Sequence, residues 1–338
     1  MSLHRGILKV IVLATTNNAF WAVDTDRAQA YLIDDRFGFY YGITFNDDQI
    51  FVVAQNSVYG KESEAPDRSG RILVFDKDLN LQKELEAPFI MRDAHQLYCF
   101  KNKLWIAATW NNFIATFDGQ DWDIWQPFGA PKNPDSPDTH HINSILVDDE
   151  KIYLAGHGRD GGQAHIFKTD DKSHLVTHDM GQGSHNVWKS GDQIYSMSSN
   201  NGELIDLSGN RFPIAPGNFV RGAIILSDRR FFGASSKTDR QSRNSSNSMI
   251  VEASLTGKQL RRLGINGYGE MLDIRAPGEV DLAHPSYIGP KISVTILEKK
   301  FHAIDIDLNP QLTGKISGFK KWSWWWWQKT GVRALPDF

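Results

Sequence analysis

Residues 184–207, SHNVWKSGDQIYSMSSNNGELIDL, repeat almost without gaps the pattern of residues 94–118, AHQLYCFKNKLWIAATWNNFIATFD. His185 falls on His95, Val187 on Leu97 and Ile194 on Leu104, and the Asn200, Asn201 pair falls close to Asn111 and Asn112. A third copy opens the chain, since LATTNNAFWAVD at 13–24 follows AATWNNFIATFD at 107–118. The N-terminal run of basic then apolar residues is therefore read as a strand of the repeat and not as a secretory signal. Self-similarity at a fixed spacing marks a repeat architecture.

The repeated unit is a strand unit. Short apolar, β-branched and aromatic runs such as IFVVA, RILVF, LWIAA and KIYLA stand between turn signals such as NDDQ, FKNK, DDEK and SGDQ. Helix-period runs with caps are almost absent, so the chain reads as all-β. Successive copies open at Tyr41, His95, Asn143, His185, Gly222 and near Glu270. That is a period of about 46 residues, the length of a four-stranded propeller blade. Six copies predict a six-bladed β-propeller of four-stranded blades over residues 1–310, with a Trp-rich tail at 311–338.

The N-terminal segment carries only the second, third and fourth strands of a blade. Its missing inner strand is expected from GEMLDIRA (269–276), which would close the ring by pairing the two ends of the chain and remove exposed edges. The stretch ISVTILEKKFHAIDIDLN (292–309) is left over and offers an alternative of seven blades.

Composition limits the partners. With 41% apolar, 23% charged and 12% aromatic residues, the chain is an ordinary globular protein with a strand-rich core. A net charge of -3 gives no reason to expect nucleic acid or an acidic membrane. No apolar run approaches the roughly 18 residues of a transmembrane helix. Cys99, the single cysteine, excludes an internal disulfide and fits a reducing, cytoplasmic setting as a small core residue.

Loop lengths point to one face. First-to-second-strand turns stay short, whereas long loops fall at NSVYGKESEAPDRSG, HGRDGGQAH and SSKTDRQSRNSSN, and in the inter-blade link GAPKNPDSPDTH. In a propeller these connections share a face with the starts of the inner strands. Long loops over a rigid scaffold are where binding and catalysis sit.

Residues at those strand starts converge on the channel mouth: Asp93, His95, His140, His141, Asn143, His185, Arg221, Glu270 and Asp273. His95, His141 and His185 could ligate zinc, iron or manganese, since neutral imidazole suits these metals. Without metal, histidine and Glu270 are candidates for general base and acid. Arg221 could grip a carboxylate or phosphate through two hydrogen bonds. Each histidine also has a structural reading as a hydrogen-bonded strand cap, and His140, His157 and His284 lean that way. The Asn-Asn loops read as turn chemistry.

In WSWWWWQKTG, an extended chain would place Trp322, Trp324 and Trp326 on one face and Trp325 and Trp327 on the other. Packing on the propeller itself is one reading, and a homodimer contact is the next. A sugar-stacking ladder and a bilayer surface are further possibilities.

The openings DAHQL, HHINS, GSHNVW, NFVRGA and GEMLDI resemble those of an uncharacterised bacterial β-propeller family, catalogued as a domain of unknown function. Blades of that family begin with patterns like Asp-x-His, His-x-Asn-Gly, Pro-His-Ser-Pro-Arg-Trp, Thr-Arg-Gly and Glu-x-x-Asp. The likeness runs in order from about residue 38 to 285. It implies a propeller with a polar mouth and marks Asp93, His95, His141, Asn143, His185, Arg221, Glu270 and Asp273. Ser144 stands where the pattern has Gly, and NVWK replaces SPRW, so the arginine expected beside His185 is missing. The resemblance supplies no reaction.

Two functions follow. One is an enzyme of lyase or hydrolase type, with or without a metal and with no nucleotide cofactor, acting on a polar or anionic small molecule or sugar. There His95, His141 and His185 bind metal or exchange protons, Asn143 orients substrate, Arg221 binds an acid group, and Glu270 or Asp273 supports them. The other is a binding module for a glycan, peptide or partner protein. Loops dominated by Gly, Ser, Asn, Lys and Asp favour the enzyme, while the absence of a nucleophile elbow, phosphate loop or zinc signature counts against it.

Overall fold

The computed structural model describes residues 10–56, 69–130, 138–158, 161–239 and 242–309. In chain order the strands are β1 to β3 (Ile11–Thr16, Phe20–Asp24, Gln29–Asp34) and β4 to β7 (Phe39–Phe45, Ile50–Gln55, Arg71–Phe75, Leu81–Glu86). Next come β8 to β11 (Ala94–Phe100, Lys103–Ala108, Phe113–Phe117, Trp122–Trp125) and β12 to β15 (Ile142–Val147, Lys151–Gly158, Gly161–Lys168, His174–Asp179). Then follow β16 to β19 (Ser184–Ser190, Gln193–Ser198, Glu203–Asp206, Arg211–Pro213) and β20 to β23 (Phe219–Ile225, Arg229–Ser235, Ser248–Ser254, Gln259–Ile265). After β24 (Met271–Arg275) come helix α1 (Val294–Lys300) and two short strands, β25 (Ala303–Asp305) and β26 (Asp307–Leu308).

These make six antiparallel sheets in a ring, a six-bladed β-propeller. Blades 1 to 5 are β4–β7, β8–β11, β12–β15, β16–β19 and β20–β23, each running outward from its first strand. Blade 6 has the order β24-β1-β2-β3, so its inner strand comes from the far end of the chain, as the repeat predicts. The seam pairs Leu13 with Arg275, Ala14 with Ile274 and Thr15 with Asp273.

The seven-blade alternative does not hold. Residues 294–300 turn into a short helix, and β25 and β26 add fifth strands to the outer edges of blades 6 and 5. They pair with β3 and β23 and cover two edges that would otherwise be open. No helix among the described residues is long and apolar enough to cross a membrane. The predicted Trp-rich tail, with its proposed dimer contact, lies outside the described residues.

Burial explains why these runs form the strands near the axis. FYYGITF in β4 and IVLATT in β1 are buried at every position, because each blade is covered on both faces by its neighbours. An outer strand such as LQKELE is largely exposed. The core is therefore a set of inter-blade layers. One joins Phe39, Tyr41 and Val53 to Leu97, Cys99 and Ile106, and another joins Leu13, Phe20 and Tyr31 to Tyr40, Ile43 and Val52.

Every inner strand carries a β-bulge near its start. The extra residue falls at Tyr41–Gly42, His95, Asn143, Asn186, Gly222 and Leu272 in blades 1 to 6. A bulge leaves one residue out of the ladder and re-aims its side chain. Around the axis, side chains of one blade then accept backbone N–H groups of the next: Thr44 from Cys99, Gln96 from Ile145, Ser144 from Asn186 and Asn186 from Gly222. Asp273 accepts the N–H of Ile43 at 3.0 Å and closes the circuit from blade 6 to blade 1. Two bulges need glycine for contact. A Cβ on Gly42 would stand 2.7 Å from the Gln96 Cα, and one on Gly222, at φ 79°, 2.7 Å from the Ile274 nitrogen.

Beyond β24, residues 276–292 form a strap across the far end of the channel. Its Asp281 accepts the Ile225 N–H in blade 5, its His284 lies near Tyr98 in blade 2, and its Tyr287 hydroxyl accepts the Asn102 N–H. Ile292 enters the core beside Phe45 of blade 1.

Asp273 is the clasp of the ring. Its carboxylate accepts from Ile43, Ile274 and Asn186 and pairs with the buried Arg275 at 2.5 Å. Asp273→Ala leaves that guanidinium buried and unpaired, so urea unfolding should show a loss of about 3 to 5 kcal/mol. A loss of well under about 1 kcal/mol would refute the clasp, since that is the worth of an exposed ion pair.

Candidate functional site

Five of the predicted residues meet in one cavity at the end of the channel where the inner strands begin, and His141 and Glu270 do not line it. His95, Asn143, His185, Arg221 and Asp273 line one small polar cavity, which has room for about one water molecule. Gln96, Ser144, Asn186 and Leu272 complete its wall. These four were missed by reading the sequence, because three of them owe their position to the bulge register and not to any residue pattern.

Four imidazoles surround the mouth. The ring of His95 lies 5.4 Å from that of His141 and 6.2 Å from that of His185. His157, read from sequence as structural, lies 4.0 Å from His141 and 5.3 Å from His185 and belongs to the cluster. It ends the second strand of blade 3, so its inward position has no counterpart among the strand openings. His140 does not join. It stacks on Phe128 at 3.9 Å, on the side of blade 3 that carries His165. His284 is at the opposite end, in the strap, 3.5 Å from Asp281.

Hydrogen bonding fixes the tautomers. The Nδ1 of His95 is 2.8 Å from the Asp93 carbonyl, that of His185 2.8 Å from the Gly183 carbonyl, and that of His141 2.7 Å from the Asp138 carboxylate. Carbonyl and carboxylate oxygens only accept, so each Nδ1 must donate. A neutral ring then leaves Nε2 bare, presenting a lone pair. The Nε2 of His185, on a side chain 4% exposed, is buried with no hydrogen-bond partner.

The surroundings hold His95, His157 and His185 neutral. Burial pushes His95 down to about 4, with Asp93 opposing and Arg221 adding to the shift. Burial pushes His157 down to about 2, helped by His141 and Arg221, and takes His185 well below the usual imidazole range, again with Arg221. Burial raises Glu270, against the positive charges of Arg243, 3.4 Å away, and Arg221. Arg221 itself lies over the Phe219 ring at 5.0 Å, and Phe219 in turn packs 5.5 Å from His185.

Backbone strain gathers here too. Asp93 and His141 adopt left-handed φ values of 55° and 47°, each two residues before a bulge. Such conformations cost on the order of 1 kcal/mol or more for residues other than glycine, and they cluster at sites where orientation matters. Tyr41 supports Asp93 by donating to its carboxylate at 2.8 Å and stacks on His95 at 4.5 Å.

Two predicted catalytic residues have other duties. The Asn143 amide donates to the Ser184 carbonyl at 2.8 Å and accepts from Ser144 at 3.0 Å, while Asp273 is occupied as the clasp. Both still line the cavity. Among the described residues, no three His, Cys, Asp or Glu side chains stand close enough together to hold a metal ion. The donor chemistry of the three bare Nε2 atoms suits a metal, but their present spacing does not.

No protein-family model matches the chain, and no curated protein matches it. Among solved structures, it is similar to a chain of a nidogen/laminin complex, with 9% identity and a TM-score of 0.56 over 78% of this chain and 97% of that one. Virginiamycin B lyase from Staphylococcus aureus also aligns, with 14% identity and a TM-score of 0.42 over 67% of this chain and 69% of that one. A complex of its inactive variant with quinupristin aligns at 15% identity and a TM-score of 0.43, over 69% of this chain and 80% of that one. At these identities the likeness concerns the fold alone.

Neutral buried imidazoles make stability pH-dependent. Below about pH 6.5 the unfolded chain takes up protons that His95, His157 and His185 resist in the folded state, so stability is complete above that pH and falls as the pH drops. The expected loss approaches about 1.4 kcal/mol per pH unit for each ring. In chelator-treated protein, urea midpoints at neutral and mildly acidic pH should differ accordingly, and His95→Gln should flatten the slope. A midpoint indifferent to pH in this range would contradict the assignment.

Proposed function

We infer that the protein is an enzyme of lyase or hydrolase type that acts on a polar or anionic small molecule or sugar at the histidine-lined mouth of the propeller. The observation that carries this reading is the shared tautomer of His95, His141 and His185, each with Nδ1 tied down and Nε2 bare. A structural capping role would not require three rings of one cluster, two of them lining the cavity, to keep the same nitrogen unbonded.

His141 suits the role of general base. Its side chain is 22% exposed, the most open of the three, and Asp138 behind it orients the ring and stabilises the proton it gains. Glu270 suits the acid, because burial favours its protonated form. Arg221 faces the cavity as the anchor for an anionic group. Asn143 holds the wall in place through Ser184 and Ser144, and Asp273 holds the ring closed.

Zinc, iron or manganese would need these three Nε2 atoms drawn closer together than they stand, and a bound divalent ion would then supply a Lewis acid there. The buried, unpaired Cys99 supports action in the reducing cytoplasm. The Trp-rich tail, by its sequence, remains our candidate for a homodimer contact. Kinship with the propeller family that shares its blade openings belongs to the same proposal.

A binding module is the second reading, supported by two apolar side chains near the mouth, Ile90 and Trp110, which are 42% and 37% exposed. Metal content and turnover separate the alternatives. Plasma mass spectrometry should be run on the wild type and on the triple His95, His141, His185→Gln variant. Near-stoichiometric metal that disappears in the variant makes the histidines ligands, and no metal in either makes them acid–base groups. In mass-spectrometric screening of uronates, hydroxy acids and their esters, His141→Gln should lower turnover by about 10² to 10⁴-fold with little change in melting temperature. No turnover with or without added metal, together with retained glycan or protein binding, would replace the enzyme reading with the module.

A further inference from the structure

The strap that closes the far end of the channel is held mainly by polar contacts. Asp281 accepts the Ile225 N–H of blade 5 at 2.9 Å, and the Leu282 N–H donates to the Ile225 carbonyl at 2.9 Å. On the other side Ser286 hydrogen-bonds to the Tyr98 hydroxyl and Tyr287 to Asn102, both in blade 2. Ala283 is buried, and Leu282 and Tyr287 pack partly on the blades, whereas Val280 and Ile288 are 61% and 50% exposed. A segment that buries so little apolar surface opens locally at a lower cost than the ring around it.

At the centre of the strap, His284 is 8% exposed and stands among charges. Its Nδ1 lies 3.5 Å from the Asp281 Oδ2, longer than a formed hydrogen bond, and neither atom has a hydrogen-bond partner. From β24, Arg275 and Asp273 act on the ring, the first buried and paired to the second. From β8, the Tyr98 ring lies 6.4 Å away. Burial and then Arg275 keep His284 neutral, against the pull of Asp281 and Asp273.

A proton on His284 works against the closed strap in two ways. It sets an imidazolium beside a guanidinium with little water to screen them. It also draws on Asp281, whose other oxygen holds the N–H groups of Ile225 and Ala283. A released His284 is solvated and takes its proton near the ordinary imidazole value of about 6.5, so each pH unit below that moves the strap toward the open form by up to about tenfold.

We propose that the strap is an acid-released gate: protonation of His284 frees residues 278–288 from the end of the channel while the six blades stay joined, and the blind channel becomes a tunnel. The blades stay joined because the seam and the Asp273 clasp lie in β24, β1 and β4 and do not use the strap. The freed piece is a loop and not a tail, since β24 holds one end and Ile292, packed beside Phe45, holds the other. Opening brings water to Arg275 and thereby to Asp273, which also lines the cavity at the mouth. The gate is independent of what the mouth binds or does.

Hydrogen exchange of the full chain, followed by mass spectrometry at neutral pH and at about one unit below the ordinary imidazole value, tests this, with labelling times matched to the intrinsic rate at each pH. Peptides covering 278–288 should lose protection about tenfold at the lower pH, while β4 and β5 of blade 1 change far less. His284→Gln, uncharged at both pH values, should keep the strap equally protected at both. Equal protection of 278–288 in the wild type at both pH values, or a loss shared equally by β4 and β5, would overturn the proposal without any variant having to fold. A strap that still responds to pH in His284→Gln would overturn it as well, because the trigger would then be another group.

Discussion

Around the axis of this propeller, six inner strands stand side by side with no sheet ladder between them. Each has a neighbour on its outer side only, so backbone N–H groups on the channel side must find other acceptors in a place with little water. The bulges release those groups, and the side chains of Thr44, Gln96, Ser144, Asn186 and Asp273 receive them from one blade to the next. That belt sets the spacing of the strands. It therefore also sets where His95, Asn143 and Arg221 stand, since each occupies or adjoins a bulge.

The belt joins the site to the scaffold. Asn186 accepts from Gly222 and donates to Asp273, and Asp273 in turn accepts from Ile43 and pairs with Arg275. The imidazole Nε2 atoms of the mouth stand outside this network. Neutral imidazoles collect beside Arg221 because burial and that positive charge both oppose their protonation. A site that keeps lone pairs beside a fixed cation is preorganised, because its dipoles need not reorient when charge develops.

Much of this architecture was legible in the sequence. The match of SHNVWK to AHQLYC carried the repeat, and GEMLDIRA was recognised as the inner strand that the N-terminus lacks. Convergence of His95, Asn143, His185 and Arg221 on one cavity follows from strand position alone. Other features were not legible. A bulge adds one residue without a signature, so Asn186 and Ser144 looked like ordinary strand residues. His157 sits at the end of a second strand, where no repeat comparison pointed inward. The stretch 292–309 resembled a hairpin because AIDIDL has strand propensity, yet its partners are the outer edges of blades 5 and 6, which no local pattern reveals.

The seam in blade 6 has a consequence for biosynthesis. Strands β1 to β3 leave the ribosome before the five other blades, but their inner partner β24 is made after all of them. For most of translation the nascent ring is an open crescent, with β1 bare along one edge and the latest blade bare along the other. Unsealed edges of this kind are templates for pairing with other chains. Polysomes crowded with such crescents would be the hazardous stage, and chaperone demand should be governed by the interval between the synthesis of Ile11 and that of Arg275 rather than by the stability of the finished ring.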